Sequence, residues 1–301
     1  MSDDDTLTDI INSRREAVIN SPSQLRIPLF ERLEIETQSN CNRTCWFCPR
    51  TYDRSGAYIN GSGMVTLKQM ATDKVIDLLD QASQLKFRGL VAFHFFSEPL
   101  LDKRNILLAT AARERGMKPL LHTNGDALSK NHTLCEQVKQ VYDFVVVGLY
   151  DYTNLEELTA AKVYWKNRLC GVDLKFSYIR PVDDRRLPSV GIPRALVPTD
   201  RRTSIPDLIF KNGPCNRPLL RMLIRYDGAF CLCCEDLHAQ FGLGSVYESS
   251  LAELWYSDRH ARIIRDLLAG HRASYSLCAR CPLTPTGPAL GPEKIELSHR
   301  D

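Results

Sequence analysis

Polar and apolar positions follow two rhythms along this chain. Leu33-Glu34-Ile35-Glu36-Thr37 changes character at every residue, the period of a strand. Gly89–Phe95 is almost continuously apolar, as in a strand buried within a parallel sheet. Between them, residues 66–84 carry Leu67, Met70, Val75, Leu78 and Leu79 at helical spacing. The same reading predicts strands at Pro119–His122, Phe144–Leu149 and Val172–Ile179. Helices are predicted at Lys103–Arg115, ended by Gly116, and at Ser129–Gln140 and Asn154–Arg168. A further helix is expected around Asp9–Ile19 in an otherwise polar lead-in.

Strand and helix alternate with short joins, which implies right-handed βαβ units on a parallel sheet. The regular pattern stops near Arg180, after five to six units. The expected fold class is therefore α/β, a partial (β/α)6 barrel followed by a small cysteine-rich domain. Residues 180–214 hold prolines and many charges and read as an irregular crossing segment. The expected organisation is an N-terminal extension at 1–30, a core at 31–200, a cysteine-rich domain at 201–283 and a flexible tail at 284–301.

Composition narrows the partners. A chain of 301 residues with 44% hydrophobic content suits one large globular unit with an appendage. The net charge of +3 gives no case for nucleic acid. No apolar run is long enough to span a bilayer, and the acidic start Met1-Ser2-Asp3-Asp4-Asp5 does not resemble an export signal. Eleven cysteines without such a signal point to metal or redox chemistry in a reducing cytoplasm rather than to disulfides.

Three of those thiols cluster in Cys41-Asn42-Arg43-Thr44-Cys45-Trp46-Phe47-Cys48. Thiolates are the usual ligands of iron–sulfur clusters. A four-iron cluster takes four ligands, so three leave one iron open. Half a zinc site or buried thiols are the alternatives. A zinc knuckle usually brings a matching pair nearby, whereas the next cysteine here is Cys135. A second group, Cys215, Cys231, Cys233, Cys234, Cys278 and Cys281, follows residue 200. Arg221–Cys234 reads as a hairpin turning at Asp227-Gly228, and Cys278 and Cys281 form a C-x-x-C loop. Cys215, Cys233, Cys278 and Cys281, from three places, can close four ligands around one more cluster, with zinc as the alternative. Cys135 and Cys170 fall on expected helices and read as core fillers.

The spacing of Cys41, Cys45 and Cys48, with the aromatic Phe47 before the last, resembles the signature of the radical S-adenosylmethionine (SAM) enzymes. That resemblance implies a [4Fe–4S] cluster whose open iron binds SAM, and reductive cleavage to a 5′-deoxyadenosyl radical. It gives Glu98 the SAM amino group, Thr123 and Asn124 the ribose and carboxylate, and Phe47 the adenine. Phe96 and Ser97 stand where glycines are common in the family. Strand parity sets His94 on the face of Phe96 and Glu98, as a substrate contact or a buried structural histidine.

The second cysteine group resembles the shortened SPASM region, called twitch, which implies an auxiliary [4Fe–4S] cluster. From Leu33 to Cys281 the chain is similar to the aminocyclitol dehydrogenases of the family. Phe93-His94-Phe95, Glu98-Pro99-Leu100-Leu101, Thr123-Asn124-Gly125-Asp126, Cys233-Cys234-Glu235-Asp236 and Gly270-His271-Arg272 carry the similarity. It implies oxidation of an alcohol of an aminocyclitol or aminosugar in natural-product biosynthesis. It also implies a reducing partner such as flavodoxin or ferredoxin, and a substrate-binding arginine best matched by Arg185, with Arg180 and Arg186 as rivals. The alternative is an epimerase in which Cys234 or Cys231 returns a hydrogen atom. Parity counts against Cys234, which should face away from Cys233 unless the strand has ended.

Overall fold

The computed structural model describes residues 27–45, 48–53, 57–58, 67–152, 154–182, 185–188 and 212–281, with backbone alone at 52 and 178–188. The expected helix at Asp9–Ile19, Phe47, and the tail at 284–301 lie outside these residues. The strands are β1 (Arg32–Ile35), β2 (Leu90–Ala92), β3 (Lys118–Thr123), β4 (Phe144–Leu149), β5 (Asp173–Val182), β6 (Arg185–Pro188), β7 (Arg221–Ile224) and β8 (Phe230–Cys231). They form one sheet in the order β6-β5-β4-β3-β2-β1-β7-β8. Every pairing from β5 through β1 to β7 is parallel, so six strands run in one direction.

The sixth parallel strand comes from the expected hairpin and not from the βα run. The expected hairpin at Arg221–Cys234 exists, turning where Gly228 takes a φ of 85° and donates to Arg225. Its first strand, β7, pairs with β1 in register Arg32↔Arg221 to Ile35↔Ile224. The cysteine-rich segment therefore extends the same sheet past β1. At the other edge, β6 turns back antiparallel on β5, so the crossing segment is not wholly irregular.

Helices α1 (Thr72–Gln84), α2 (Asn105–Glu114), α3 (Asp126–Lys130), α4 (His132–Val141) and α5 (Leu155–Arg168) follow the strands, and α6 (Arg217–Leu220), α7 (Leu251–Trp255) and α8 (Asp258–Leu268) belong to the C-terminal segment. One predicted helix, Ser129–Gln140, is in fact α3 and α4. The break falls at Asn131, whose extended backbone and side chain cap the Leu134 N–H. α1 buries Val75, Leu78, Leu79 and Ala82, one stripe at helical spacing.

These stripes meet alternate strand residues. Leu33, Ile35, Val91, Phe93, Leu121, Val145, Val147, Met222 and Ile224 join the helices in one apolar core. Arg32, Glu34, Ala92, His122 and Arg221 point to the opposite face, which carries charge. The C-terminal segment is fastened to the chain entering β1. Trp255 donates to the Pro28 carbonyl at 2.9 Å and meets the Phe30 ring edge-on at 5.2 Å. No helix of the described residues is long and apolar enough to cross a membrane.

Gly89 sets the spacing of β1 and β2. A Cβ there would stand 2.2 Å from the Glu31 carbonyl oxygen, which accepts from Leu90. Gly89→Ala is expected to lower stability by about 1–3 kcal/mol, read as a lower urea midpoint with unchanged slope. An unchanged midpoint would show that this strand junction yields freely.

Candidate active site

The loop after β1 holds Cys41, Cys45 and Cys48 through its backbone. Gln38 donates to the Asn40 and Glu98 carbonyls, and Glu98 N–H donates to Asn40, so the loop's entry is tied to the exit from β2. The buried Arg50 guanidinium reaches the Cys41 and Ser39 carbonyls, and Thr51 Oγ1 donates to Cys45 at 2.9 Å. Burial pushes the Cys45 thiol to about 11 and Cys48 to about 12, and Cys41 adds to both, so the three sulfurs are neighbours. Metal binding would deprotonate them.

Glu98 caps the short 3-10 turn Pro99–Leu101 and joins three elements. Its carboxylate accepts from Leu100 N–H at 3.2 Å, Thr123 Oγ1 at 2.6 Å and Asn124 N–H at 2.7 Å. Asn124 donates to Asn42, and Asn42 donates to Asp126. Arg43 clasps Asp126 with two bonds, at 2.9 and 2.6 Å, and pairs with Asp151 at 2.7 Å. The cysteine loop is thus bolted to the carboxyl ends of β3 and β4. Gly125, at φ 83°, makes the turn possible, since a Cβ would lie 2.6 Å from the Trp165 ring. The structure brings Cys41, Cys45, Cys48, Glu98, Thr123 and Asn124 together at one end of the sheet, where parallel βα folds place their sites.

Below this lies the charged face. Glu34 Oε1 meets Arg32 Nη1 at 3.2 Å and Arg221 Nη1 at 3.3 Å. Burial pushes the Glu34 carboxyl up, but the two guanidiniums overcome it and hold it at about 2. His94 and His122 pack edge to face at 5.1 Å, and burial lowers them to about 4 and about 3, so both are neutral at pH 7. His94 Nδ1 has no hydrogen-bond partner among the described residues, contrary to a satisfied structural histidine. Tyr150 donates to Ser177 at 3.0 Å beside His122.

The second cysteine group gathers from separate places. Cys215 is anchored by its N–H on Leu267, and Cys281 closes the 3-10 turn begun by Cys278. Burial raises Cys278 to about 12, with Cys215 and Cys281 next, and Cys278 raises Cys233 in turn. Cys278 thus neighbours each of the other three.

Comparison with known proteins bears on this arrangement. Residues 215–282 match the SPASM family, an iron–sulfur cluster-binding domain. The chain is 27% identical over 263 residues to the S-adenosyl-L-methionine-dependent 2-deoxy-scyllo-inosamine dehydrogenase of Niallia circulans, covering 84% of this chain and 93% of that protein. Its fold is similar to BtrN solved with AdoMet and 2-DOIA, at a TM-score of 0.63 and 23% identity, covering 84% and 93% of the two chains. It is also similar to native anSMEcpe with bound AdoMet, at a TM-score of 0.51 and 13% identity, covering 84% and 89%. The chain thus resembles radical SAM enzymes along most of its length and matches an iron–sulfur cluster-binding domain over residues 215–282.

Other positions singled out in the sequence are placed as follows. Cys234 lies beside Arg221 and Glu34, on the charged face, because β8 ends at Cys231 and alternation no longer holds. Cys231 is buried opposite Leu223, the register partner of Glu34, so it shares the face of Glu34, near Asp236, Arg225 and Glu36. Cys135 is a core residue as expected, but Cys170 lies beyond the end of α5 and is exposed. Arg185 begins β6 opposite Val182, with its side chain outside the description. Arg32, Glu34, His122 and Arg221 went unread in the sequence. The usable signal was charge on alternate positions of strands whose other positions are apolar.

Glu36 lies between the two regions, accepting from Tyr58 Oη and Phe96 N–H, each at 2.8 Å. Burial raises its carboxyl from 4.5 to about 7. Between those values the folded chain binds a proton that the unfolded chain has lost, so stability falls as pH rises. Against Glu36→Gln, the wild type is expected to lose about 3 kcal/mol between pH 4 and pH 7.5, measured by urea unfolding. Parallel profiles for the two proteins would refute the assignment.

Proposed function

We propose that this enzyme oxidises an alcohol of a polar polyol, of aminocyclitol or aminosugar type, to a ketone. When bound, the SAM-binding cluster and SAM supply the 5′-deoxyadenosyl radical that removes the carbon-bound hydrogen. The hydroxyl proton goes to a base, and an auxiliary [4Fe–4S] cluster held by Cys215, Cys233, Cys278 and Cys281 would supply an acceptor for the remaining electron. The observation that carries this reading is a charged, hydrogen-bonding face lying between two separate sets of thiols.

Each residue has a task in this reading. Cys41, Cys45 and Cys48 hold the SAM-binding cluster, and Arg50 and Thr51 fix their backbone. Glu98, Thr123 and Asn124 contact SAM at the end of β3, with Phe47 at the adenine. Cys215, Cys233, Cys278 and Cys281 hold the auxiliary cluster. His94, neutral at pH 7 with an open Nδ1, accepts a hydrogen bond from the substrate hydroxyl. Arg185 is a substrate contact reached from β6, and Cys234 borders the substrate space beside Arg221. The reducing electron comes from a flavodoxin or ferredoxin. The proposed units are an extension at 1–30, a core at 31–200, the auxiliary domain at 201–283 and a tail at 284–301. Support for dehydrogenation comes from the Niallia circulans relative, whose name records that reaction on 2-deoxy-scyllo-inosamine.

The test is anaerobic turnover with SAM, a reductant and a panel of cyclitols that includes 2-deoxy-scyllo-inosamine. The expected outcome is 5′-deoxyadenosine together with a product two hydrogens lighter. Cys48→Ala is expected to abolish 5′-deoxyadenosine, whereas Cys233→Ala is expected to keep forming it with little ketone. Solvent deuterium at an inverted carbon, with no ketone, would overturn the oxidation.

A further inference from the structure

Two like charges stand side by side on the inner face of the sheet. Arg32 opens β1 and Arg221 opens β7, and the two are register partners. Their side chains leave the same face roughly 5 Å apart. Like charges directly opposite on neighbouring strands are destabilising. One carboxylate oxygen, Glu34 Oε1, answers both guanidiniums, at 3.2 and 3.3 Å. Each guanidinium carries five N–H donors, and among the described residues these are their hydrogen bonds.

The remaining donors have somewhere to point. Both arginine side chains keep 28% of their surface exposed, while Glu34 keeps 3%. The next groups along the face, His94 and His122, are neutral at pH 7. Cys234 also borders the pair, with Glu235 beside it. Arg221 neighbours Cys233 and Cys215 as well, but the second thiol set has closer cations of its own. Arg217 Nη1 stands 3.6 Å from Cys215 Sγ, and the buried Arg272 donates to the Cys281 carbonyl at 2.8 Å. At hydrogen-bond distance, two guanidiniums therefore share one carboxylate on this face of the sheet, with Glu235 next to Cys234 as the further acid. An ammonium group placed against the two guanidiniums would be repelled by them. An oxyanion would take two forked guanidiniums at once, the geometry arginine provides best.

We propose that Arg32 and Arg221 form an anion subsite that holds a phosphate or carboxylate group of the substrate. Resting on the oxidoreductase reading above, it narrows the substrate to a polyol bearing such a group, with any amine held away from Glu34. Glu34 is the counter-charge that keeps the two arginines together while the subsite is empty of substrate.

The test begins with inorganic phosphate titrated calorimetrically into the full chain. Arg32→Gln and Arg221→Gln are each expected to weaken binding about tenfold or more, and the lysine variants less. Glu34→Gln is expected to tighten it, a sign that general loss of structure would not produce. No phosphate binding by the wild type, or weaker binding by Glu34→Gln, overturns the subsite. A second arm compares 5′-deoxyadenosine formation with myo-inositol against its 1-phosphate, and with glucose against glucuronate. Preference for the phosphate or for the carboxylate identifies the group; equal response to neutral and anionic partners overturns the subsite. If no compound yields 5′-deoxyadenosine yet phosphate binding keeps the expected pattern, the subsite stands and the oxidoreductase reading falls.

Discussion

Side-chain alternation on six parallel strands governs this molecule. Leu33 and Ile35 face the helices, while Arg32 and Glu34 between them face the other way. Slipping β1 by one residue would place two charges in the apolar core and two large aliphatics in the charged space, which fixes the register firmly. The same alternation recurs on β7, where Met222 and Ile224 are core residues and Arg221 is not. One geometric rule thus builds the hydrophobic core and lines the chemical space behind it.

Charge in that space is arranged by burial and pairing together. Glu34 stays ionised because two guanidiniums outweigh its desolvation, whereas Glu36, two residues on, has hydroxyl and amide donors that do not. The histidines lose their charge to burial beside cations. The upper rim works differently. There Arg43, Asp126, Asn42, Asn124 and Glu98 spend their polar groups on one another, and the result is a fixed loop geometry. Arg43 and Arg50 also border the cysteine sulfurs, with hydrogen bonds to Cys41 and Cys48.

The auxiliary domain is part of the same architecture. Its hairpin adds a parallel strand next to β1, and Trp255 locks the segment onto Pro28. Arg221 consequently touches Glu34 on one side and neighbours the second thiol set on the other.

The strands and helices of the βα run, the cysteine triplet, the hairpin turn at Gly228 and the C-x-x-C loop were legible in the linear sequence. All of these are local signals, set by hydrophobic period, turn chemistry or ligand spacing. Glu98, Thr123 and Asn124 were legible through motif resemblance, and the structure adds the hydrogen bonds that join them. What the sequence could not supply was pairing between distant segments. That β7 lies beside β1, bringing Arg221 against Arg32 across 189 positions of sequence, is decided by how sheet edges are filled. Cys234 reaches the charged face by the exception the sequence left open: alternation applies only while a strand lasts, and β8 stops after two residues. Period and composition are properties of neighbours along the chain, but the charge balance of a cavity is summed over neighbours in space, and only the tertiary structure decided those.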